Sequence, residues 1–373
     1  MPKLAALADR ITAAVAPLGG DLRVDPLALL GERAAISGMR AGGEVSCGGS
    51  TRLIPTGDGW MAVTLARADD VELVPAWLEL DGPCDDHWAT IDHAASRGSI
   101  GSLIERALLV GLPVAALPRA DDAVSRQPAV RRVPVAGPTI EPRPLAGLVV
   151  ADLTSLWAGP LCGALLAAAG ATVIKVESTT RPDGARSGPP EFFDLMNGGK
   201  RGVALDLHSR EGVHALRAII GASDVVLEAS RPRALEQLGI AAAAMVAEGR
   251  TRVWASITGH GRTGPERERV AFGDDAAVAG GLAAWDDRGP VFCADAIADP
   301  TTGVVAAAAV LEALAGRGRS VLDISMADVA AHLAGPTLPA STTDIASPRA
   351  RLASARGPRL GEHTDLVLAG LSP

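Results

Sequence analysis

Gly259, His260 and Gly261 open the hexapeptide GHGRTG, which closes at Gly264. Its spacing is that of a dinucleotide-binding turn, where glycines let the backbone approach a pyrophosphate at the start of a helix. A predicted strand, RVWASIT, precedes it, but Pro265 and the charged run ERER follow in place of a helix with small packing residues. A glycine-rich turn with a structural or acyl-thioester-binding role fits better than NAD binding. NAD-dependent oxidoreduction is kept as an alternative. A few residues on, Asp274 and Asp275 begin the stretch DDAAVAGGLAAW. On spacing alone they read as caps, since carboxylates in a first helical turn oppose the positive end of the helix dipole. Cys84, His87 and His93 are zinc-ligand types, yet Asp85, Asp86 and Asp92 surround them without a second sulfur pair, so a solvated loop and no metal site are expected. The sequence contains neither a GxSxG elbow nor a Walker A motif, which removes the commonest hydrolase and NTPase readings. Carboxylates remain as the candidate reactive groups.

Composition narrows the partners. With 35 Lys and Arg against 43 Asp and Glu, the chain carries −8, and it has 6 Trp, 4 Phe and no Tyr. A nucleic-acid partner needs a basic footprint or a stacking platform, and this sequence offers neither. Apolar stretches such as Gly303 to Leu314 fall short of the ~20 residues of a membrane span, so no membrane partner is expected. Leu4, Leu7, Ile11, Val15 and Leu18 lie on one helical stripe that Asp9 and Arg10 interrupt, which reads as a docked amphipathic helix rather than an export signal. Four scattered cysteines without a CxxC pair fit reduced thiols, and a cytoplasmic protein is expected.

The elements that must position these residues divide at a proline-rich segment. AGPTIEPRP, residues 136–144, holds three prolines in nine residues and is read as the linker between a small α+β domain with an N-terminal helix (1–135) and a large domain (145–335), with a tail at 336–373. In the small domain, TRLIPTGDGWMAVTL predicts two strands joined at Gly57-Asp58-Gly59, with helices at 69–78 and 99–109 and a strand in GLPVAALP. Downstream, LAGLVVADL, ATVIKVE, RGVALDL, SDVVLE and RVWASIT alternate with helical patterns. Apolar runs of that kind suit strands buried on both faces, which predicts an α/β fold with an open parallel sheet. Ligands of such sheets bind beyond the carboxyl ends of the strands, after Leu153, Glu177, Glu228 and Thr258.

PLAGLVVADLTSLWAGPLCGALLAAAGATVIKVE, MNGGKRGVALDL, SDVVLEASRPRALEQLGI, ASITGHGRTGP and GPRLGEHTDLVLAGL, in that order, resemble successive motifs of the family III CoA-transferases. That family includes formyl-CoA and carnitine CoA-transferases and 2-methylacyl-CoA racemase. The resemblance implies a Rossmann-like large domain plus a small domain, an interlocked homodimer, and CoA or acyl-CoA with a small carboxylate as substrates, with no permanently bound cofactor. It places Trp157, Ala158, Gly159 and Pro160 in the loop that approaches CoA. Arg186 matches a phosphate-proximal arginine, and Asn197, Lys200 and Arg201 match NxGKR.

This sequence departs from the family pattern at three points. The segments that look like the small domain precede the large one, as in a circular rearrangement. Ala229 and Ser230 stand where the family has Asn-Phe. Counting from Pro265, the family's nucleophilic aspartate falls on Gly273, and Asp274 comes one residue late. Asp274 is the candidate nucleophile of a CoA transfer through an aspartyl mixed anhydride, with Gly48, Gly49 and Ser50 resembling the glycine loop that shields the intermediate. The alternatives are a noncatalytic or subunit-type CoA-binding member of the family and an acyl-CoA racemase. The racemase is disfavoured because no histidine stands at the expected distance upstream of the glycine turn.

Overall fold

The computed structural model describes residues 2–40, 43–119, 128–334, 338–339 and 348–371. Its first three strands are β1 (Thr51–Thr56), β2 (Gly59–Thr64) and β3 (Val114–Ala116), which form a small antiparallel sheet. β4 (Val130–Val135), β5 (Val149–Asp152), β6 (Thr172–Ser178), β7 (Arg201–Leu205), β8 (Val225–Glu228) and β9 (Val253–Thr258) follow. Then come the hairpin β10 (Ala283–Trp285) and β11 (Pro290–Phe292), the long strand β12 (Arg319–Ser325), and β13 (Leu338–Pro339) beside β10.

β4 to β9 and β12 form one seven-stranded sheet in the order β4-β12-β9-β8-β5-β6-β7. From β5 onward its parallel strands stand third, second, first, fourth, fifth, sixth, the order of the doubly wound nucleotide-binding sheet. β8, β9 and β12 are buried along almost their whole length, as their uninterrupted apolar runs require. The two edges are managed differently. β4 runs antiparallel to β12 and carries Arg131, Arg132 and Pro134, residue types that discourage further pairing. β7 is closed by the LGEHT segment: the His363 ring accepts from the Gly202 amide at 3.1 Å, and the Thr364 hydroxyl accepts from the Ala204 amide at 3.1 Å.

The helix Ala298–Ala315 is apolar on nearly every face and lies in the core between the sheet, the helix Ala158–Ala168 and the N-terminal helix Pro2–Val15. It alone among the described helices is long and apolar enough to cross a membrane, and here it is the central core helix. Gly303 permits this packing, because a Cβ there would stand 2.7 Å from the Ala158 carbonyl oxygen. Leu7, Ile11, Val15 and Leu18 all bury on this core, as the helical stripe predicts, while the Leu4 side chain lies outside the described residues.

The division at 135 is corrected by these contacts. The N-terminal helix packs against the large sheet's core helix, and β4 joins the large sheet itself, so the separate small unit is confined to the region around β1–β3. Periodicity located the elements but carries no information about which sheet a strand or helix joins. The apolar run 291–314 is largely covered within the chain.

The small sheet has two apolar faces. Ile54, Met61 and Val63 face its own helices, His87–Arg97 and Ile100–Val110, around the buried Trp77. Leu53, Ala62 and Leu117 face Val278, Ala283 and Phe292 of the large unit. With a side-chain period of two, Thr51 shares a face with Leu53 and Thr64 with Ala62, so docking the small sheet carries both hydroxyls onto the large unit.

Candidate active site

The helix Gly273–Ala279 starts where the small sheet docks, and its first turn presents Asp274 and Asp275. Asp275 is the cap: its carboxylate accepts the Phe272 amide at 2.8 Å and the Thr64 hydroxyl at 3.1 Å. Asp274 is not a cap. One of its oxygens accepts the Ala296 amide at 3.0 Å, and the other accepts the Thr51 hydroxyl at 3.4 Å. Thr51 and Thr64 are directly opposed across β1 and β2, and their hydroxyl oxygens are 3.0 Å apart. A single cross-strand pair thus ties both aspartates to the small sheet.

Two further carboxylates converge from the loop after β11 and the start of Ala298–Ala315. Asp295 engages Arg33 with both oxygens, one of them at 2.8 Å from Nε, and Arg33 lies over the Trp157 ring at 5.1 Å. Asp299 stands in the first turn of the core helix, and its side-chain oxygens accept no hydrogen bond among the described residues. Burial pushes Asp299 up to about 7, against Arg33 and with the like charges of Asp274 and Asp295. Asp275 rises to about 7 through burial, and Asp274 to about 6 through burial and the charge of Asp295, opposed by Arg33 and the Ala296 amide. Arg33 therefore faces Asp274, Asp295 and Asp299, while Asp275 faces Arg269, and with Asp275 and Asp299 raised to about 7 the cluster holds protons near neutral pH. Cys47 sits beside it, and burial with the charges of Asp295 and Asp274 raises its thiol to about 11, keeping it neutral.

The backbone around the cluster is tight. Ala296 has φ 42°, a left-handed conformation unusual for a residue with a Cβ. A Cβ at Gly273 would lie 2.4 Å from the Ala296 carbonyl oxygen and 2.4 Å from an Asp299 carboxylate oxygen. The position that the resemblance gives to the nucleophile thus has no room for a side chain, and Asp299 fills the space one would take.

The charged residues expected to meet CoA phosphates are committed elsewhere. Lys200 is buried, 2.7 Å from Asp152 and 2.9 Å from the Pro160 carbonyl oxygen. Burial lowers its pKa against the pull of Asp152. Asn197 is buried and donates to the Phe193 carbonyl at 3.2 Å. Arg186 is paired through two nitrogens with Glu177 and donates to the Pro358 carbonyl at 3.1 Å. These groups hold the loop 153–160 and the tail segment. Within that loop Asp152 accepts the Thr154 amide, Lys175 bridges the Thr154 carbonyl and Asp183, and Asp183 accepts the Leu156 amide.

Trp157, Ala158, Gly159 and Pro160 form the buried start of the helix Ala158–Ala168, with Gly159 so close to Thr154 that a Cβ would stand 2.2 Å from it. Leu156, just before them, has φ 70° and is exposed. Gly259 packs on Ala271, Gly261 has φ 90°, and burial pushes His260 down to about 3, so its ring is neutral. No helix begins until Gly273, and the turn follows β9, the fifth strand of the parallel set. Both facts go against a dinucleotide fingerprint.

Sequence reading missed a cluster of arginines. Arg67 follows β2, Arg181 follows β6, and Arg231 and Arg233 follow β8. Burial lowers the Arg231 pKa, and the like charges of Arg233, Arg67 and Arg181 add to the effect. Arg181 and Arg231 are exposed and have no ion-pair partner among the described residues. Arg67 lies 5.6 Å from the centre of the Phe272 ring, immediately before the carboxylate cluster. Arginines placed just past predicted strand ends were the available signal.

Residues 145–363, more than half of the chain, match the model of CoA-transferase family III, and the chain belongs to that family. Succinyl-CoA–D-citramalate CoA-transferase of Chloroflexus aurantiacus is 33% identical over 199 residues, covering 50% of each chain. Succinate–glutarate CoA-transferase of Agrobacterium fabrum is 31% identical over 209 residues, covering 50% of this chain and 52% of the relative. A crystal structure of a hypothetical protein from Mycobacterium tuberculosis, 33% identical, superposes with TM-score 0.48 over 52% of this chain and 57% of that one. The chain spans about half the length of the curated relatives it matches.

Proposed function

We propose that this protein transfers CoA between an acyl-CoA and a small carboxylic acid through a mixed anhydride on one aspartate of the Asp274, Asp275, Asp295 and Asp299 cluster. The convergence of those carboxylates beneath the docked small sheet, beside Arg33, carries the reading. A carboxylate attacks the thioester carbonyl carbon, the C–S bond breaks, and sulfur leaves with its electron pair as CoA thiolate. The thiolate then attacks the aspartyl carbonyl, releasing the donor acid and leaving an aspartyl-CoA thioester. The acceptor carboxylate repeats both steps in reverse order and departs as the new thioester. A dry site favours this route, because anhydrides are lost to water. Relatives with succinyl-CoA in their names support a short dicarboxylic acyl donor.

The nucleotide phosphates are assigned to Arg181 and Arg231, whose guanidinium groups suit forked contacts to phosphate, with Arg67, held by Asp70, and Arg233, 3.6 Å from Glu268, adding positive charge beside them. Trp157 to Pro160 and Gly259 to Gly261 serve as backbone walls of the same crevice. The reading is tested by incubating the protein with succinyl-CoA and a set of carboxylic acids and following new thioesters by mass spectrometry. Appearance of a second acyl-CoA is expected. CoA binding with no turnover across acetyl-, propionyl-, succinyl- and formyl-CoA would replace it with the noncatalytic reading, and hydrolysis alone would replace it with a thioesterase.

A further inference from the structure

We infer that Asp299, and not Asp274, is the carboxylate that takes the acyl group. The inference rests on the function proposed above and names the reacting atom within it. Of the four aspartates, three accept hydrogen bonds from protein donors. Asp274 accepts from the Ala296 amide and the Thr51 hydroxyl. Asp275 caps its helix and takes the Thr64 hydroxyl, both through Oδ1. Asp295 is held by Arg33 through both oxygens. Among the described residues Asp299 is the one member of the four whose carboxylate accepts no hydrogen bond at either oxygen, and it is partly exposed, whereas the other three are buried. A hydrogen-bond donor stabilises the carboxylate charge and weakens its oxygen as a nucleophile, and Asp299 carries no such donor.

The steric fit at Gly273 agrees. An Asp299 oxygen lies 2.4 Å from where a Cβ on residue 273 would be, so the carboxylate reaches the mouth of the Gly273–Ala279 helix from the neighbouring helix. The Ala296 backbone, strained at φ 42°, links the two: its amide binds Asp274, and its carbonyl accepts the Asp299 amide at 2.8 Å. Two buried donors nearby lack protein partners. Thr302 Oγ1 is three residues along the helix from Asp299, on the same face, and Trp157 Nε1 belongs to the ring packed on Arg33. Both are hydroxyl or indole donors of the kind a thioester oxygen needs as negative charge develops on it.

Attack by an Asp299 oxygen forms the C–O bond of the anhydride and expels CoA thiolate, and return of the thiolate gives an Asp299–CoA thioester. Hydroxylamine intercepts either species at the aspartyl carbonyl as a hydroxamate. Trypsin separates the candidates, because cleavage after Arg269, Arg288 and Arg317 puts Asp274 and Asp275 on the peptide 270–288 and Asp295 and Asp299 on the peptide 289–317. The wild-type chain is incubated with acetyl-, propionyl-, succinyl- and formyl-CoA in turn, quenched with hydroxylamine, and mapped by tandem mass spectrometry. A hydroxamate at Asp299, lost in Asp299→Asn protein that melts cooperatively, is the expected result. A hydroxamate at Asp274, Asp275 or Asp295 overturns this inference and leaves the proposed function standing. No hydroxamate with any of the four thioesters, together with no exchange, overturns both. The wild-type map decides the matter even if the Asn variant fails to fold.

Discussion

Asp299 and Gly273 show how one residue's chemistry depends on another's missing side chain. Because burial raises Asp299 to about 7, its protonated form is favoured by folding, and its stabilising contribution is present at low pH and lost as pH rises through that value. Asn mimics the protonated acid. The melting temperature of Asp299→Asn minus that of wild type should therefore increase between pH 5 and pH 8, and a difference that falls over that range would contradict the raised pKa. Exchange activity should rise with pH over the same window, since only the ionised carboxylate attacks. Gly273→Ala puts a methyl group against the Ala296 carbonyl and the Asp299 carboxylate, and overpacking of this kind costs about 1–3 kcal/mol. Chemical denaturation should show that loss together with reduced exchange. A neutral outcome in both would mean the helix start shifts freely.

At the scale of elements, the loop 153–160 is held by a buried ionic frame rather than by ligand. Lys200 and Asp152 form its centre, and Gly163 leaves room for them, since a Cβ there would stand 2.7 Å from the Asp152 carboxylate. Removing one member of a buried pair strands the other in low dielectric, so Lys200→Ala should cost about 3–5 kcal/mol in urea unfolding. If the variant keeps wild-type stability and loses CoA affinity alone, Lys200 is a phosphate ligand after all. The tail is an element of the same sheet in practice. His363 and Thr364 occupy backbone amides on the exposed edge of β7, and Thr364→Val should speed hydrogen exchange at Ala204 while leaving β9 protected.

For the whole molecule, the decisive arrangement is the small sheet docked on the helix Gly273–Ala279 and the β10–β11 hairpin within a single chain. Residues 1–144, outside the family match, supply Arg33, Thr51, Thr64 and Arg67 to the crevice. An acidic protein with four arginines gathered at that crevice should bind CoA in a salt-dependent manner. Arg231→Ala should weaken CoA about tenfold, ~1.4 kcal/mol, at low ionic strength by calorimetry, with little change in melting temperature. Unchanged affinity in Arg231→Ala and in Arg181→Ala would move the phosphate site away from this cluster.

Sequence by itself determined the parallel strands, the docked N-terminal stripe and the family, because periodicity and ordered motifs are local properties of the chain. It also brought attention to Asp274, which does lie in the carboxylate cluster. It did not reveal that the charges at Arg186 and Lys200 are paired internally, because the carboxylates that pair them, Glu177 and Asp152, look like ordinary strand-end residues until the strands are laid side by side. Nor did it single out Asp299, set in a run of small apolar residues that reads as a buried helix. Asp299 gains its environment from Gly273, Ala296 and Arg33, which come from three other places in the chain. Only the tertiary packing puts a carboxylate from one helix into the space left by a glycine on another.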